Sequence, residues 1–341
     1  MICSYSDYKI DLRISANEFQ DFKIGGVIYG FNYGDGFKNK FEEIFNFATI
    51  PVFWYEDENP PEQENNIVNW VNWCQSKGIM TKGHALVWFN ESMWPSWVPM
   101  GSFDTVKQEW EQRAKDVVDK YKNTIKYWDV MNEGHAAYNA NLYSKDQLIE
   151  MTSIACNAVR YKDPESKIII NNYEPASDTG STQSYNLKYG SLEYVRKLIE
   201  NNVDFDIIGL QHYYAYPYGG VCRDLFEISE RLDRWGALGK DLHITEMQVP
   251  SSNASNHNSA MDYDLTKTGI WRGGWSETTQ AYFVEGFFKV ALGKSYIKAI
   301  GWWNLADYPN HHLPNGGLLR EDWSEKPAFD KIRNLKNRIG L

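Results

Sequence analysis

Cysteine is scarce in this chain of 341 residues: Cys3, Cys74, Cys156 and Cys222 lie far apart, with no CxxC pair and no Cys/His cluster at ligand spacing. The pattern implies neither a zinc site nor a dense disulfide framework. It calls for no metal or other cofactor, and it leaves buried free thiols as the expectation. Long apolar runs are missing as well, and nothing approaches the roughly 18–20 residues that a membrane span requires. Basic residues are in deficit, with 35 Lys and Arg against 45 Asp and Glu and a formal net charge of −10. Nucleic acid would demand Lys and Arg patches, so it is not the expected partner. The first seven residues hold no basic stretch leading into an apolar one, and no secretory leader is read there. No linker, low-complexity tract or charge block divides the chain, which argues for one domain.

Aromatic residues, by contrast, are abundant: 14 Trp, 22 Tyr and 16 Phe make up 15% of the chain. A core needs fewer. Such rings stack well against flat apolar faces like those of sugars, so a neutral ligand is the natural partner. The apolar fraction of 43% is enough for a large core.

From residue 23 onward, apolar strand patterns alternate with helix-period segments. Strands are expected at 23–30, 45–54, 79–88, 125–131, 167–173, 205–211, 242–246 and 298–304. Helices are expected at 36–45, 62–77, 105–121, 145–161, 192–201, 224–238, 277–292 and 327–338. Ser102 with Asp104, Ser144 with Gln147, and Ser276 give helix-start signals. Eight such units in series favour an α/β fold closed as a single (β/α)8 barrel over a doubly wound sheet. Residues 1–22 are expected to form an N-terminal arm and 23–341 the barrel domain.

Two strands deliver a carboxylate to their ends. Tyr127-Trp128-Asp129-Val130-Met131 runs into Asn132-Glu133-Gly134, and Leu242-His243-Ile244-Thr245 ends in Glu246. Either glutamate alone could cap the next helix. A matched pair after strands four and seven, at the mouth where barrels keep their chemistry, points instead to glycoside hydrolysis. One carboxyl protonates the leaving oxygen and the other meets the developing oxocarbenium ion, with a separation of about 5–5.5 Å implying retention. Their environments must differ, the acid having a raised pKa and its partner staying ionised through hydrogen bonds.

Other strand ends carry groups suited to sugar hydroxyls and ring faces. His84 follows Gly83, which lets the backbone pass closely, and Trp88, Trp94, Pro95 and Trp97 come after it. Asn172 and Tyr173 end the fifth strand; Gln211, His212 and Tyr213 end the sixth. Trp302 and Trp303 are adjacent on a strand, so only one can face the mouth. The segment 249–275, with Trp271, Arg272 and Trp275, is long enough to shape a ligand site.

Taken in order, these residues resemble glycoside hydrolase family 10, whose typical members are retaining endo-β-1,4-xylanases on a (β/α)8 barrel. The resemblance covers roughly residues 23–340 and rests on several motifs. These are Gly83-His84-Ala85-Leu86-Val87-Trp88 with Pro95-Ser96-Trp97, Trp128-Asp129-Val130-Met131-Asn132-Glu133, Asn171-Asn172-Tyr173, Gly209-Leu210-Gln211, Ile244-Thr245-Glu246, and Gly317-Leu318-Leu319 with Lys326-Pro327-Ala328. It implies Glu133 as acid/base, Glu246 as nucleophile, Asn132 on the sugar 2-hydroxyl, and His84, Gln211 and Trp303 lining the reacting subsite. It implies also action on a polysaccharide outside the cell or in the periplasm; a monomer is expected.

The chain departs from the family pattern in three places. Where typical members carry a Glu-Asn-x-x-Lys type grip, it has Thr49-Ile50-Pro51-Val52-Phe53-Trp54-Tyr55-Glu56. A His expected two residues after Gln211, usually the nucleophile's partner, is Tyr213, and the second His of the third-strand motif is Phe89. Trp54, Tyr55 and Glu56 are then expected to line the non-reducing-side subsites, and Trp271 to contribute from the opposite side. Apolar platforms discriminate weakly, so a substituted or different β-linked polymer is the expected preference over plain xylooligosaccharides. A β-glycanase of other backbone and a non-catalytic glycan-binding barrel are the alternatives. The second has no need to keep both glutamates.

Overall fold

A computed structural model gives the architecture and describes residues 19, 21–29, 34–54, 61–90, 95, 97–98, 102–136, 143–173, 190–214, 222–253, 271–308, 313 and 315–341. Most of the expected N-terminal arm lies outside these residues, and Phe22 at its end is already buried in the core. Strands and helices alternate from there. They run β1 (Lys23–Val27), α1 (Asp35–Ile44), β2 (Phe47–Pro51), α2 (Pro61–Ser76), β3 (Met80–Trp88), α3 (Phe103–Tyr121), β4 (Tyr127–Asn132) and α4 (Lys145–Lys162). The second half runs β5 (Lys167–Asn172), α5 (Ser191–Glu200), β6 (Ile207–Tyr213), α6 (Leu225–Gly236), β7 (Asp241–Gln248), α7 (Glu277–Leu292), β8 (Ile297–Trp302) and α8 (Pro327–Ile339). Every strand pairs in parallel with its sequence neighbours, and β8 returns to β1 to close a barrel. The fold is the expected (β/α)8 barrel.

Local sequence explains where the elements begin. Ser144 accepts from the Gln147 amide while the Gln147 side chain accepts from the Ser144 amide, a closed capping box at α4, and Ser276 with Thr279 repeats it at α7. Asp224 caps α6 by accepting from the Phe226 and Glu227 amides. Ser102 precedes α3 without a side-chain cap, leaving Asp104 in the first turn to complement the helix dipole. The helices turn apolar stripes such as Ile228, Leu232 and Trp235 onto the strands, which is what buries the outer face of the barrel. Cys74, Cys156 and Cys222 are buried free thiols as expected, burial pushing Cys74 up to about 12.

Inside the barrel the side chains form layers. At the base Phe47, Tyr127 and His243 meet ring to ring, with centroids 5.3–6.1 Å apart. Burial drives His243 down to about 3, so it is neutral there. Above it lies a charged layer, Lys82, Asp129 and His84, and above that the carboxylates and amides of the mouth.

Candidate active site

β3 sets the floor of the site. Gly83 is required here, because a Cβ on it would sit 2.3 Å from the Trp128 ring of its register partner on β4. With the strands so close, Lys82 Nζ donates to Asp129 Oδ2 at 2.7 Å, and the same oxygen lies 2.7 Å from His84 Nδ1. All three side chains are at most 2% exposed. Burial alone would raise the Asp129 carboxyl, but the Lys82 ammonium and His84 hold it below the usual range. The other face of His84 looks upward, with Nε2 4.0 Å from Glu246 Oε1.

β-Bulges decide which residues share that interior. On β4 the register with β5 slips so that Asp129 pairs with Ile169 and Met131 with Ile170. Val130 is the extra residue, and both Asp129 and Asn132 turn inward. On β7, Leu210 pairs with Ile244 but Gln211 with Glu246, which makes Thr245 the extra residue. Thr245 and Glu246 therefore both reach Asn171: Thr245 Oγ1 donates to its Oδ1 at 2.5 Å, and its Nδ2 donates to Glu246 Oε1 at 2.7 Å. The same Nδ2 lies 2.8 Å from Asn132 Oδ1, which leaves the Asn132 Nδ2 end for a ligand.

Glu133 follows β4 with a left-handed backbone, φ 53°, uncommon for a residue with a side chain, and its amide donates to Asn171 O at 2.8 Å. Trp88 Nε1 donates to its Oε2 at 3.3 Å. Gln211 Nε2 joins the two glutamates, donating to Glu133 Oε1 at 2.9 Å and to Glu246 Oε1 at 3.1 Å. Those two oxygens are then no farther apart than the two distances laid end to end, about 6 Å, below the roughly 6.5–9.5 Å of inverting pairs.

The two carboxylates have different surroundings. Glu133 is half-buried, whereas Glu246 is 4% exposed. Burial raises the Glu246 carboxyl, opposed by His84 and by Tyr213, whose hydroxyl donates to Oε2 at 2.5 Å, while the charge on Glu133 adds to the rise. The expectation that hydrogen bonds hold this carboxyl low is therefore not met: burial outweighs its donors and the group lies above the usual carboxylate range.

The remaining expected residues divide. His84, Trp88, Asn132, Gln211, Tyr213 and Trp303 converge on the carboxylates or the wall beside them. Trp303 packs edge-on to His84 at 5.1 Å and to Tyr29 at 5.5 Å, while Trp302 lies under the helices, donating to Gly316 O. Tyr173 stacks on His135 at 4.6 Å, just beyond Glu133. His212 points the other way, toward Tyr214 and Phe287, as strand alternation between Gln211 and Tyr213 requires.

Other placements differ from expectation. Asn172 is fully buried and its Nδ2 donates to the Ile170 and Gly209 carbonyls; the amide on the carboxylate is Asn171. Trp271 packs on Trp275 and on Phe283 of α7, with Arg272 over its ring at 4.6 Å. Trp54 is turned away onto Trp110, Trp97 and Arg113. Phe53 takes its place at the mouth, touching His84, Trp88 and Tyr29. Tyr55 and Glu56 lie outside the described residues. Lys82, Asp129, Thr245 and Phe53 were not among the expected site residues, although Lys82 and Asp129 carried a signal as charges inside apolar strands.

Among the described residues no cluster of three or more His, Cys, Asp or Glu could hold a metal ion. No described helix is long and apolar enough to cross a membrane. A (β/α)8 barrel hosts many chemistries, so the fold alone names none. Comparison with known proteins narrows it. The chain is 24% identical to the endo-1,4-beta-xylanase/feruloyl esterase of Xylanibacter ruminicola over 92% of its own length and 45% of that relative's, so it spans less than half of that protein. It is 32% identical to endo-1,4-beta-xylanase 3 of Hypocrea jecorina, over 82% of this chain and 71% of that one. Its fold superposes on the crystal structure of native xylanase 10B from Thermotoga maritima with a TM-score of 0.70 at 22% identity, covering 95% and 98% of the two chains. Residues 63–335, which carry both glutamates and their amide partners, match the family model for glycosyl hydrolase family 10, and the chain belongs to that family.

Proposed function

We propose that this chain hydrolyses internal β-1,4 linkages of xylan or a xylan-like polysaccharide with retention of configuration, using Glu133 as acid/base and Glu246 as nucleophile. One observation supports the reading: Gln211 Nε2 donates to both carboxylates at once, which keeps one oxygen of each within about 6 Å of the other, short of the inverting range. In the first step Glu246 attacks the anomeric carbon while the departing oxygen takes the proton of Glu133. In the second, Glu133 removes a proton from water, whose oxygen displaces the Glu246 carboxylate. Asn132, oriented by Asn171, meets the 2-hydroxyl, and Trp303 and His84 line the reacting sugar.

Proton NMR of the first turnovers on a xylooligosaccharide tests this. The β-anomer must appear before mutarotation, and Glu246→Gln must lose turnover while keeping its fold. An α-anomer formed first, or a variant within about tenfold of wild type, overturns the assignment.

Phe53 favours a narrower reading of the substrate. An aromatic wall of Phe53, Trp88 and Tyr29 borders His84. It offers ring contact and few oriented hydrogen bonds, which suits a substituted or non-xylan β-linked chain. Product profiles on linear xylan, substituted xylans and β-glucans decide it: highest kcat/KM on unsubstituted xylan counts against this preference and leaves the retaining mechanism untouched.

A further inference from the structure

Tyr213 stands where the family pattern has a histidine, and its hydroxyl does not face an open subsite. The ring is held by Val27, Trp303 and Leu313 in a small buried cluster, and its backbone pairs with Gln248 of β7. So fixed, the hydroxyl donates to Glu246 Oε2 at 2.5 Å. The two oxygens of Glu246 are therefore not equivalent. Oε1 accepts from Asn171 Nδ2 at 2.7 Å and Gln211 Nε2 at 3.1 Å, which fills both of its lone pairs. Oε2 accepts, among the described residues, from Tyr213 alone. One lone pair is left there for an incoming carbon.

We propose that Oε2 is the attacking oxygen and that Tyr213 is its positioning residue, acting chiefly on breakdown of the glycosyl-enzyme. The inference rests on Glu246 being the nucleophile. In the first step an Oε2 lone pair bonds to the anomeric carbon as the carbon–oxygen bond to the leaving group breaks, that oxygen taking the Glu133 proton. In the second, a water oxygen bonds to the same carbon while Glu133 takes its proton. The carbon–Oε2 bond breaks and its electron pair returns to Oε2. An ester oxygen is a poor acceptor and a carboxylate oxygen a strong one, so the Tyr213 hydrogen bond weakens on attack and is regained on release. The hydroxyl therefore stabilises the carboxylate as a leaving group. It also fixes the rotation of the carboxylate, so that Oε2 and not Oε1 faces the sugar.

The test uses Tyr213→Phe and Tyr213→His with an aryl β-xylobioside bearing a dinitrophenol leaving group, for which the first step is fast. Tyr213→Phe is expected to lower kcat roughly 10- to 100-fold, the range of one charged hydrogen bond, and to lower KM with it as the intermediate accumulates. A burst of phenolate and a glycosylated protein mass should accompany the loss. The acid limb of kcat/KM should move to higher pH: Glu133 on β4 and burial disfavour the Glu246 charge, and fewer groups remain to oppose them. Those are His84 and Lys82 on β3, both in contact with Asp129 on β4. Tyr213→His should recover most of kcat by restoring a donor and add a titration near the imidazole range, about 6.5. A kcat loss with unchanged KM, no burst and no recovery by histidine overturns the proposal, as does wild-type kinetics in Tyr213→Phe. If Glu246→Gln turns over the same substrate, the nucleophile assignment has failed instead.

Discussion

Replacing Asp129 by asparagine should separate a structural charge from a catalytic one. The side chain is 0% exposed, and its Oδ2 serves Lys82 and His84 together. Asparagine keeps the shape and removes the charge. Lys82, 1% exposed, then has to remain an ammonium without its counterion or give up its proton inside the barrel. Removing one partner of a buried pair costs about 3–5 kcal/mol, since it leaves the other charge uncompensated. For a barrel of this size, at the low end of roughly 2–4 °C per kcal/mol, the melting temperature should fall on the order of 6–10 °C. Replacing Lys82 by methionine in the same chain removes the orphaned ammonium, so the double variant should be more stable than Asp129→Asn alone.

The pH dependence gives an independent check with a definite sign. Asp129 is held below the usual carboxylate range in the folded chain, its burial outweighed by Lys82 and His84. Its contribution is therefore complete above the unfolded value of about 3.9 and is lost as the pH falls through the folded value. The gap between wild type and Asp129→Asn should be full at neutral pH and should close on acidification. Urea unfolding followed by tryptophan fluorescence at several pH values measures it. An unchanged midpoint at neutral pH, or a double variant no more stable than the single one, refutes the reading of Lys82 as a buried charge dependent on Asp129.

Three further outcomes are expected. Glu246 is raised by burial, so the folded state holds its proton more tightly than the unfolded state and stability falls as pH rises from the unfolded value to the folded one. Glu246→Gln should accordingly be more stable than wild type at neutral pH by about 0.5–2 kcal/mol, with no gain below the ordinary carboxyl range; calorimetry showing a loss at neutral pH counts against it. Azide should restore turnover of an activated xyloside in both alanine variants, giving the β-azide with Glu133→Ala and the α-azide with Glu246→Ala. The reverse pairing means that the roles are exchanged. Gly209→Ala would place a Cβ 2.8 Å from Asn171 Oδ1 and from Thr245 Cγ2, and should cost about 1–3 kcal/mol and lower kcat by tilting Asn171 off Glu246; unaltered kinetics would show that the amide can move.

The barrel was legible because it repeats. Apolar strands alternate with amphipathic helices eight times, and each observed element begins within about three residues of its expected start, the usual uncertainty of element boundaries. The two glutamates were legible because each follows an apolar β-type stretch, although β7 runs on past Glu246 to Gln248 instead of ending there, and Gln211 with Tyr213 because simple alternation holds on β6. The amide of β5 was not. Asn171 and Asn172 both look suited to a sugar, and the choice depends on phase: Asn171 pairs in register with Asn132, so the two inward amides meet, while Asn172 faces the backbone of β6.

Phase is what a sequence conceals wherever a bulge intervenes. Strict alternation puts Asp129 and Asn132, three residues apart, on opposite faces, and does the same to the neighbours Thr245 and Glu246. The slips at Val130 and at Thr245 bring each pair to one side. An extra residue unpaired in one strand leaves no mark in composition, since Val130 reads as an ordinary strand residue. Its effect is nevertheless specific. Without the slip on β4, Asp129 could stay beneath His84 only if Asn132 faced the helices, and Asn171 would lose one of its two acceptors. The charged layer and the carboxylate layer can share one interior because the strands between them are out of step. The polar residues with no apparent reason to sit in an apolar strand, Lys82 and Asp129, are therefore the sequence's best indication that the alternation breaks there.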